Sequence, residues 1–433
     1  MLIEFSVKNF RSVKERQTFS LTSASSHELR ETNMMAVLDG KLTLLRSAAI
    51  YGPNASGKTN LIKALQTMQR IVLTSAQRQR GDEVGVTPYL FDATTQEQPS
   101  EFEAIFINQG VRYQYGFIAT NKQILEEWLL AYPRGRSQNW LDRKFDQIAQ
   151  QYTWGNTDKL TGTKQLWQDA TRPNALFLST AIQLNNTQLQ PVFDWFKAKL
   201  RIIGLDELSS DATLAQCETE QGKRQIVDFL QAADFSISDL EIESEQAEFA
   251  YLTKELPSTT AKMLRERLRT VYQTKSGKLG VKTVHLGGNQ EKFLLNLDKE
   301  SDGTRKFFAY AGPWLDALKM GCVLVVDELN DNLHPTLVKA LVQMFHDGGF
   351  NGQNAQLIFT THETSILNQE VFRRDQVWFT EKDEYNATTL YPLSDFSPRK
   401  DVENLEKNYL QGRYGALPYF RNPSNMLEHV GES

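Results

Sequence analysis

The sequence predicts an α/β fold, a mixed sheet with an antiparallel β subdomain, interrupted by a helical insertion. Three observations carry that expectation. The run Gly52-Pro53-Asn54-Ala55-Ser56-Gly57-Lys58-Thr59 fits the phosphate-binding pattern G-x-x-x-x-G-K-[ST]. The apolar segment Cys322-Val323-Leu324-Val325-Val326 ends in the acidic pair Asp327-Glu328, as when a buried parallel strand delivers carboxylates to its C-terminal edge. From Glu101 the chain alternates through Phe102, Ala104 and Phe106, turns at Asn108-Gln109-Gly110, and alternates again through Val111, Tyr113, Tyr115 and Phe117, the pattern of an antiparallel hairpin.

The N-terminal run Met1-Leu2-Ile3-Glu4-Phe5-Ser6-Val7-Lys8-Asn9-Phe10 alternates like a strand and lacks the apolar core of a signal peptide. Ser47 to Tyr51 reads as a short buried strand entering the phosphate loop. Beyond Thr59, the residues Leu61, Ile62, Leu65 and Met68 mark one helical face. Strand, glycine turn and helix N-terminus together aim backbone N–H groups and a helix dipole at a polyphosphate. Lys58 adds a point charge near the β- and γ-phosphates and the Thr59 hydroxyl suits Mg²⁺, so ATP and Mg²⁺ are the expected ligands.

After the hairpin, Ile124 to Tyr132 adds a strand and residues 134–160 read as polar loop. From about 161 to 285 the pattern is helical, with helices expected at Ala175 to Leu184, Val192 to Leu200, around Ile226, Phe229, Leu230 and Ala233, and at Met263 to Tyr272. None sustains heptads long enough for a coiled coil. From Phe293 the chain is α/β again: a helix over Thr304 to Leu318, the strand before Asp327, a helix over Leu337 to Phe345, and buried strands at Gln356 to Thr360 and Gln376 to Phe379. The expected organisation is residues 1–160 and 291–433 as two halves of one nucleotide-binding domain, with 161–290 as the helical insertion.

A chain of 433 residues exceeds one ordinary core, so two or three units are expected. Hydrophobic content of 40% and charged content of 23% are those of a globular protein. The net charge of −5 leaves nucleic-acid contact to a local patch. With only two cysteines, Cys217 and Cys322, and no apolar run of membrane-spanning length, the expected setting is the cytoplasm, with no membrane contact.

The acidic pair would divide its work: Asp327 holds the Mg²⁺ shell through water, and Glu328 polarises the attacking water as general base. Thr360-Thr361-His362 ends the next buried strand, where a histidine can hydrogen-bond a γ-phosphate. Ser301-Asp302-Gly303 opens a helix, with the serine a good N-cap.

The order of phosphate loop, Ser-x-Gly at a helix start, apolar strand with Asp-Glu and strand with His resembles the ABC-type ATPases, in the branch that includes SMC, RecF and OLD proteins. That resemblance implies that Ser301 and Gly303 of one subunit contact the γ-phosphate held by another, so that ATP is sandwiched between two heads of a homodimer or higher homo-oligomer. It places a D-loop at Asn330 to His334 and, through Lys8-Asn9-Phe10-Arg11-Ser12, puts Arg11 near the nucleotide; Asn60 after Thr59 also fits the branch. The runs Glu300-Ser301-Asp302-Gly303-Thr304, Val326-Asp327-Glu328-Leu329 with Leu333-His334-Pro335, Glu406-Lys407-Asn408-Tyr409-Leu410 and Gln411-Gly412-Arg413-Tyr414-Gly415-Ala416 narrow it. Together they are similar to ABC-like AAA ATPases that include the RloA-like ATPase subunits of two-component anti-phage, abortive-infection systems. The implied function is an ATP-hydrolysing sensor or switch with a phage-derived trigger, controlling a separate effector, a nuclease, with the Toprim type as one option. The signature is Ser-Asp-Gly rather than Ser-Gly-Gly, and no Q-loop glutamine stands out. The Gly412 to Ala416 motif carries no chemistry that can be read from its residues.

About 70 residues follow His362, too few for the acidic metal-binding nuclease domain of OLD proteins. Lys262, Arg265, Arg267, Arg269, Lys275, Lys278, Lys282 and Lys292 stand against only Glu266 and Glu291, a stretch that suits a nucleic-acid backbone, a solvated face or an acidic partner. The alternative reading is a RecF-like DNA-repair ATPase acting directly on DNA. A transporter ATPase is disfavoured by the start of the chain and by the insertion.

Overall fold

The computed structural model of the protein describes residues 1–204, 207–233, 235–243, 280–398 and 403–418. The chain packs as two units, the first made of Met1–Leu205, Leu318–Asn330 and Val338–Ser433, the second of Asp206–Ala317 and Asp331–Leu337.

The first unit contains two large sheets. One has six strands in the order Leu200–Ile203, Val323–Val326, Gln356–Thr360, Ser47–Tyr51, Val377–Lys382 and Thr388–Pro392. The first five run parallel and the last returns antiparallel. Every residue of its central strands Val323–Val326, Gln356–Thr360 and Ser47–Tyr51 is buried, and they are mostly apolar with the polar Gln356, Thr360 and Ser47 at strand ends, as strands covered on both faces require. Parallel strands present their C-terminal ends along one edge of the sheet, the edge at which ligands bind in open α/β folds.

The other sheet has seven antiparallel strands in the order Gln151–Trp154, Gln138–Asp146, Ile124–Tyr132, Val111–Ala119, Ser100–Asn108, Leu2–Lys8 and Gln17–Ser20. The hairpin expected at 101–117 is present with Asn108 paired to Val111. Helix Lys58–Thr74 buries Leu61, Ile62, Leu65, Met68, Ile71 and Val72 in a core shared by Ala48 and Ile50 of the parallel sheet and by Phe102, Phe106 and Phe117 of the antiparallel one. At about 1.5–3 kcal/mol per buried large apolar side chain, this stripe anchors the helix that follows the phosphate loop.

The polar stretch expected as loop over 134–160 is instead two strands, Gln138–Asp146 and Gln151–Trp154. Its inward positions include a charge, which hides the alternation. Arg143 is wholly buried, its Nη1 3.6 Å from Glu127 Oε2 and donating to the Ala175 carbonyl at 2.9 Å. Glu127 in turn accepts the N–H groups of Phe177 and Leu178, the first residues of helix Phe177–Gln183. A buried ion pair of this kind persists because each member is hydrogen-bonded.

The segment expected to be helical over 161–290 also contains strands. The helix expected over Val192 to Leu200 is a short α-helix, Gln190–Asp194, and a π-helical turn, Trp195–Lys199. Leu200–Ile203 then pairs parallel with Val323–Val326. The β-branched pair Ile202 and Ile203 favours that extended path.

The second unit is α+β. Strands Asp239–Glu243, Gly280–Leu286 and Lys292–Asn296 form a three-stranded antiparallel sheet. Helices Asp211–Cys217 and Glu220–Gln231 accompany the greater part of helix Asp302–Met320. Gly312 lets the chain approach closely, for a Cβ there would stand 2.5 Å from the Thr213 nitrogen. Phe229 and Phe307 stack with centroids 4.7 Å apart. The helix expected at Met263 to Tyr272 and the basic residues Lys262 to Lys278 lie outside the described residues. Among the described residues, no helix is long and apolar enough to cross a membrane.

Candidate active site

Strand Ser47–Tyr51 ends between Gln356–Thr360 and Val377–Lys382, and the chain then turns through the phosphate loop. Two glycines make the turn possible. Gly52 has φ +156°, and a Cβ there would lie 2.4 Å from Thr380 Oγ1; Gly57 has φ +111°, and its Cβ would lie 2.1 Å from Thr388 Oγ1. Ala55 adopts φ 64° between them. Helix Lys58–Thr74 begins at Gly57 with no side-chain cap, so its first-turn N–H groups are available to an anion.

The loop rests on hydroxyls from the last two strands of the parallel sheet. Ser56 Oγ lies 2.6 Å from Thr380 Oγ1. Thr388 Oγ1 is 2.8 Å from both the Ser56 carbonyl oxygen and Ser12 Oγ. Asn60 donates to Ser12 Oγ at 2.8 Å. Ser12, Thr380 and Thr388 were not singled out by the sequence; for Ser12 the signal was there, in the Asn9-Phe10-Arg11-Ser12 run. Arg11 itself is exposed at φ 52°, with its guanidinium 5.6 Å from the Phe10 ring centre. It does not line the cleft described below.

Lys58 Nζ donates to the carbonyls of Gly52 at 2.8 Å and Pro53 at 3.1 Å. Burial lowers its pKa to about 8, against the opposing pull of Glu328 and Asp327. Asp327 is buried at the end of Val323–Val326, its N–H bound to the Ile203 carbonyl. Its Oδ1 accepts from Thr360 Oγ1 at 2.6 Å, while the buried Oδ2 has no hydrogen-bond partner. The same Thr360 hydroxyl accepts the Glu328 N–H at 2.7 Å. Glu328 has φ 51°, a left-handed conformation costly for a residue with a Cβ and typical of functional turns.

His362 follows the neighbouring strand Gln356–Thr360. Asn330 fixes its position, for Asn330 Oδ1 accepts from Thr361 Oγ1 at 2.8 Å and from the His362 N–H at 3.1 Å. His362 Nε2 stands 3.9 Å from Glu328 Oε1. Burial and then the Lys58 charge lower its pKa, with Asp327 opposing, so the ring is held towards its neutral form.

These elements surround an open cleft of about 660 Å³, lined by Asn54, Ala55, Ser56, Gly57, Lys58, Thr59, Asn60, Glu328, His362 and Lys382. The structure thus brings together the loop from Asn54 to Asn60, the general-base candidate and the histidine. Lys382, the last residue of Val377–Lys382, had no sequence signal beyond being a lysine at a strand end. Ser301 and Gly303 belong to the second unit. There Ser301 Oγ accepts the Thr304 N–H at 3.1 Å, capping helix Asp302–Met320.

The donor set suits a hard, oxygen-seeking cation beside a phosphate chain: a buried carboxylate oxygen without a hydrogen-bond partner on Asp327, a hydroxyl on Thr59, and uncapped helix N–H groups with Lys58 for the anion.

A family model described as "AAA domain, putative AbiEii toxin, Type IV TA system" matches residues 47–368, from the first residue of the phosphate-loop strand to six residues past His362. No curated protein sequence matches the chain. Among solved structures, the chain is similar to the SMC head domain from Thermotoga maritima at 12% identity and TM-score 0.40, over 90% of this chain and 98% of that one. It is also similar to an SMC head bound to the C-winged helix domain of ScpA, at 11% identity and TM-score 0.39, over 90% of this chain and 97% of the other.

Proposed function

For a chain that belongs to the AAA-domain family described as "putative AbiEii toxin, Type IV TA system", we propose the function of an ABC-type ATPase that acts as a switch. One observation carries this reading: Lys58, Thr59, Glu328 and His362 line a single cleft, with the partnerless Asp327 oxygen buried beside it. The uncapped helix start and Lys58 bind the polyphosphate. Thr59 and Asp327 would hold Mg²⁺, which when bound neutralises phosphate charge. Glu328 orients a water and accepts its proton as the water oxygen bonds to the γ-phosphorus and the bond to the β,γ-bridging oxygen breaks. His362, held neutral, donates a hydrogen bond to the γ-phosphate and is released when that group leaves.

Replacing Glu328 by Gln tests the assignment of the base. The variant should still bind ATP while phosphate release falls by about 10²–10⁴-fold, the usual contribution of a positioned base. Hydrolysis at the normal rate would show that another group does this work.

The finer reading follows the family. Two heads close over two ATP molecules, with Ser301 and Gly303 of one copy meeting the nucleotide of the other, and hydrolysis reopens them. The toxin–antitoxin wording of the family description supports a partner protein of toxin–antitoxin kind; we take that partner to be a separate effector, a nuclease, released on phage infection in the cytoplasm. Co-expression with the product of an adjacent gene, followed by a plaque assay, tests this: equal plaque numbers for wild type and Glu328→Gln would refute a defensive role.

A further inference from the structure

The cleft contains a second lysine that the phosphate-loop motif does not supply. We propose that Lys382 is a phosphate-binding residue of this site, a second cation set against the polyphosphate from the strand Val377–Lys382. The inference deepens the ATPase reading and rests on it.

Position is the first support. Lys382 lines the cleft together with Asn54 to Asn60, Glu328 and His362. In the sheet, Phe379 pairs with Tyr51, so three residues further on Lys382 lies level with the turn of the phosphate loop. Side chains alternate along a strand, which puts Lys382 on the same face as Thr380 and opposite Glu381. Thr380 is the residue whose hydroxyl meets Ser56 of the loop at 2.6 Å. Glu381 faces the other way and accepts the Ala416 N–H.

A defined backbone is the second. Lys382 pairs with Thr388 across the terminal hairpin. The Asp383 N–H donates to the Ala387 carbonyl at 3.0 Å, and Asp383 Oδ1 accepts the N–H groups of Tyr385 at 2.9 Å and Ala387 at 2.8 Å. The lysine is therefore delivered from a closed turn, with only its own side chain to order on binding.

Charge is the third. Lys58 is engaged by two loop carbonyls and faces two carboxylates, Asp327 and Glu328. Without Lys382, one lysine would stand against two carboxylates where a phosphate chain must bind. Lys382 restores the balance, and it makes no ion pair with a described residue, so its ammonium group is available to an incoming anion. A compact ammonium suits a phosphate oxygen as a point charge.

The test compares wild type, Lys382→Gln and Lys382→Arg by calorimetric titration with ATP and with ADP in the absence of magnesium, then by steady-state hydrolysis with magnesium. Lys382→Gln should weaken both nucleotides about tenfold and raise KM while leaving kcat within about twofold, because the contact is made equally in the ground and transition states. Lys382→Arg should restore most of the affinity, and the nucleotide-free melting temperature should not change in either variant. Wild-type affinity in Lys382→Gln would overturn the lysine inference and leave the ATPase reading standing. Failure of the wild-type chain to bind ATP at all would overturn both.

Discussion

Lys58 is held by two loop carbonyls in a cleft that burial has made unfavourable for its charge, and its pKa falls to about 8. In the empty site the ammonium form therefore dominates below pH 8 and is lost above it. A polyphosphate favours the charged form, so binding raises this pKa and takes up protons around and above pH 8, and affinity falls as pH rises through that value. Titrating ATP at pH 8.5 in two buffers of different ionisation enthalpy should reveal uptake of a fraction of a proton, and Lys58→Met should remove it. Zero uptake in the wild type would contradict the electrostatic account. Thr360 makes a second case at this scale. Its hydroxyl joins the Glu328 N–H to Asp327 Oδ1, and Thr360→Val would strand both at a cost of about 1–3 kcal/mol per buried group. Thr360→Ser should keep the melting temperature and phosphate release near wild type, whereas Thr360→Val should lower both; a fully active valine variant would show that the hydroxyl does not position the acidic pair. The sequence revealed Asp327, Glu328 and His362 because each stands just past a short, mostly apolar segment that reads as a covered strand. It hid Thr360 and Thr380, since a threonine inside such a run reads as one more β-branched residue.

Elements were legible where hydrophobic period alone decides them. The buried strands Ser47–Tyr51, Val323–Val326 and Gln356–Thr360 are short and mostly apolar, and helix Lys58–Thr74 carries a clear stripe. Strand Gln138–Asp146 escaped because its inward Arg143 is paired with Glu127 from the next strand, a compensation visible only in three dimensions. The C-terminal motif gains its meaning at this scale. Tyr414 is wholly buried and stacks on Phe379 with ring centres 5.9 Å apart. Tyr409 donates to the Ala416 carbonyl at 2.9 Å, and the Tyr391 hydroxyl to the Tyr414 carbonyl at 3.0 Å. Gly415, at φ +67°, is the pivot: a Cβ would come within 2.4 Å of Glu381 Oε1 and 2.8 Å of the Tyr391 hydroxyl. The packed turn thus backs the two strands that supply Thr380 and Thr388 to the phosphate loop. Gly415→Ala should destabilise the protein by about 1–3 kcal/mol, from left-handed strain and overpacking together. Urea denaturation would measure it, and an unchanged midpoint would mean that the turn is not fixed to these strands.

At the scale of the whole molecule, each copy carries the loop, the acidic pair and the histidine in one unit and the Ser301-Asp302-Gly303 helix start in the other. Ser301 already caps its own helix through the Thr304 N–H, a role that explains a serine there without any nucleotide. A role in trans therefore needs a test that a capping role would not pass. Lys58→Ala removes the loop cation from one copy, and Ser301→Arg fills the helix start of the other with a bulky charge, so each variant alone should be inactive if the site is shared. Mixing them in equal amounts forms heterodimers in half of all pairings, and each heterodimer keeps one site that combines an intact Lys58 with an intact Ser301. Independent sites would then restore about a quarter of wild-type phosphate release, with the recovered rate rising with protein concentration as dimers form. A serine that serves only as a cap gives a different pattern: Ser301→Arg lowers the melting temperature, and mixing returns only the average of two separate activities. Recovery above that average locates the serine at the neighbour's nucleotide, and its absence in a mixture shown by light scattering to contain dimers would leave the two heads without a shared site.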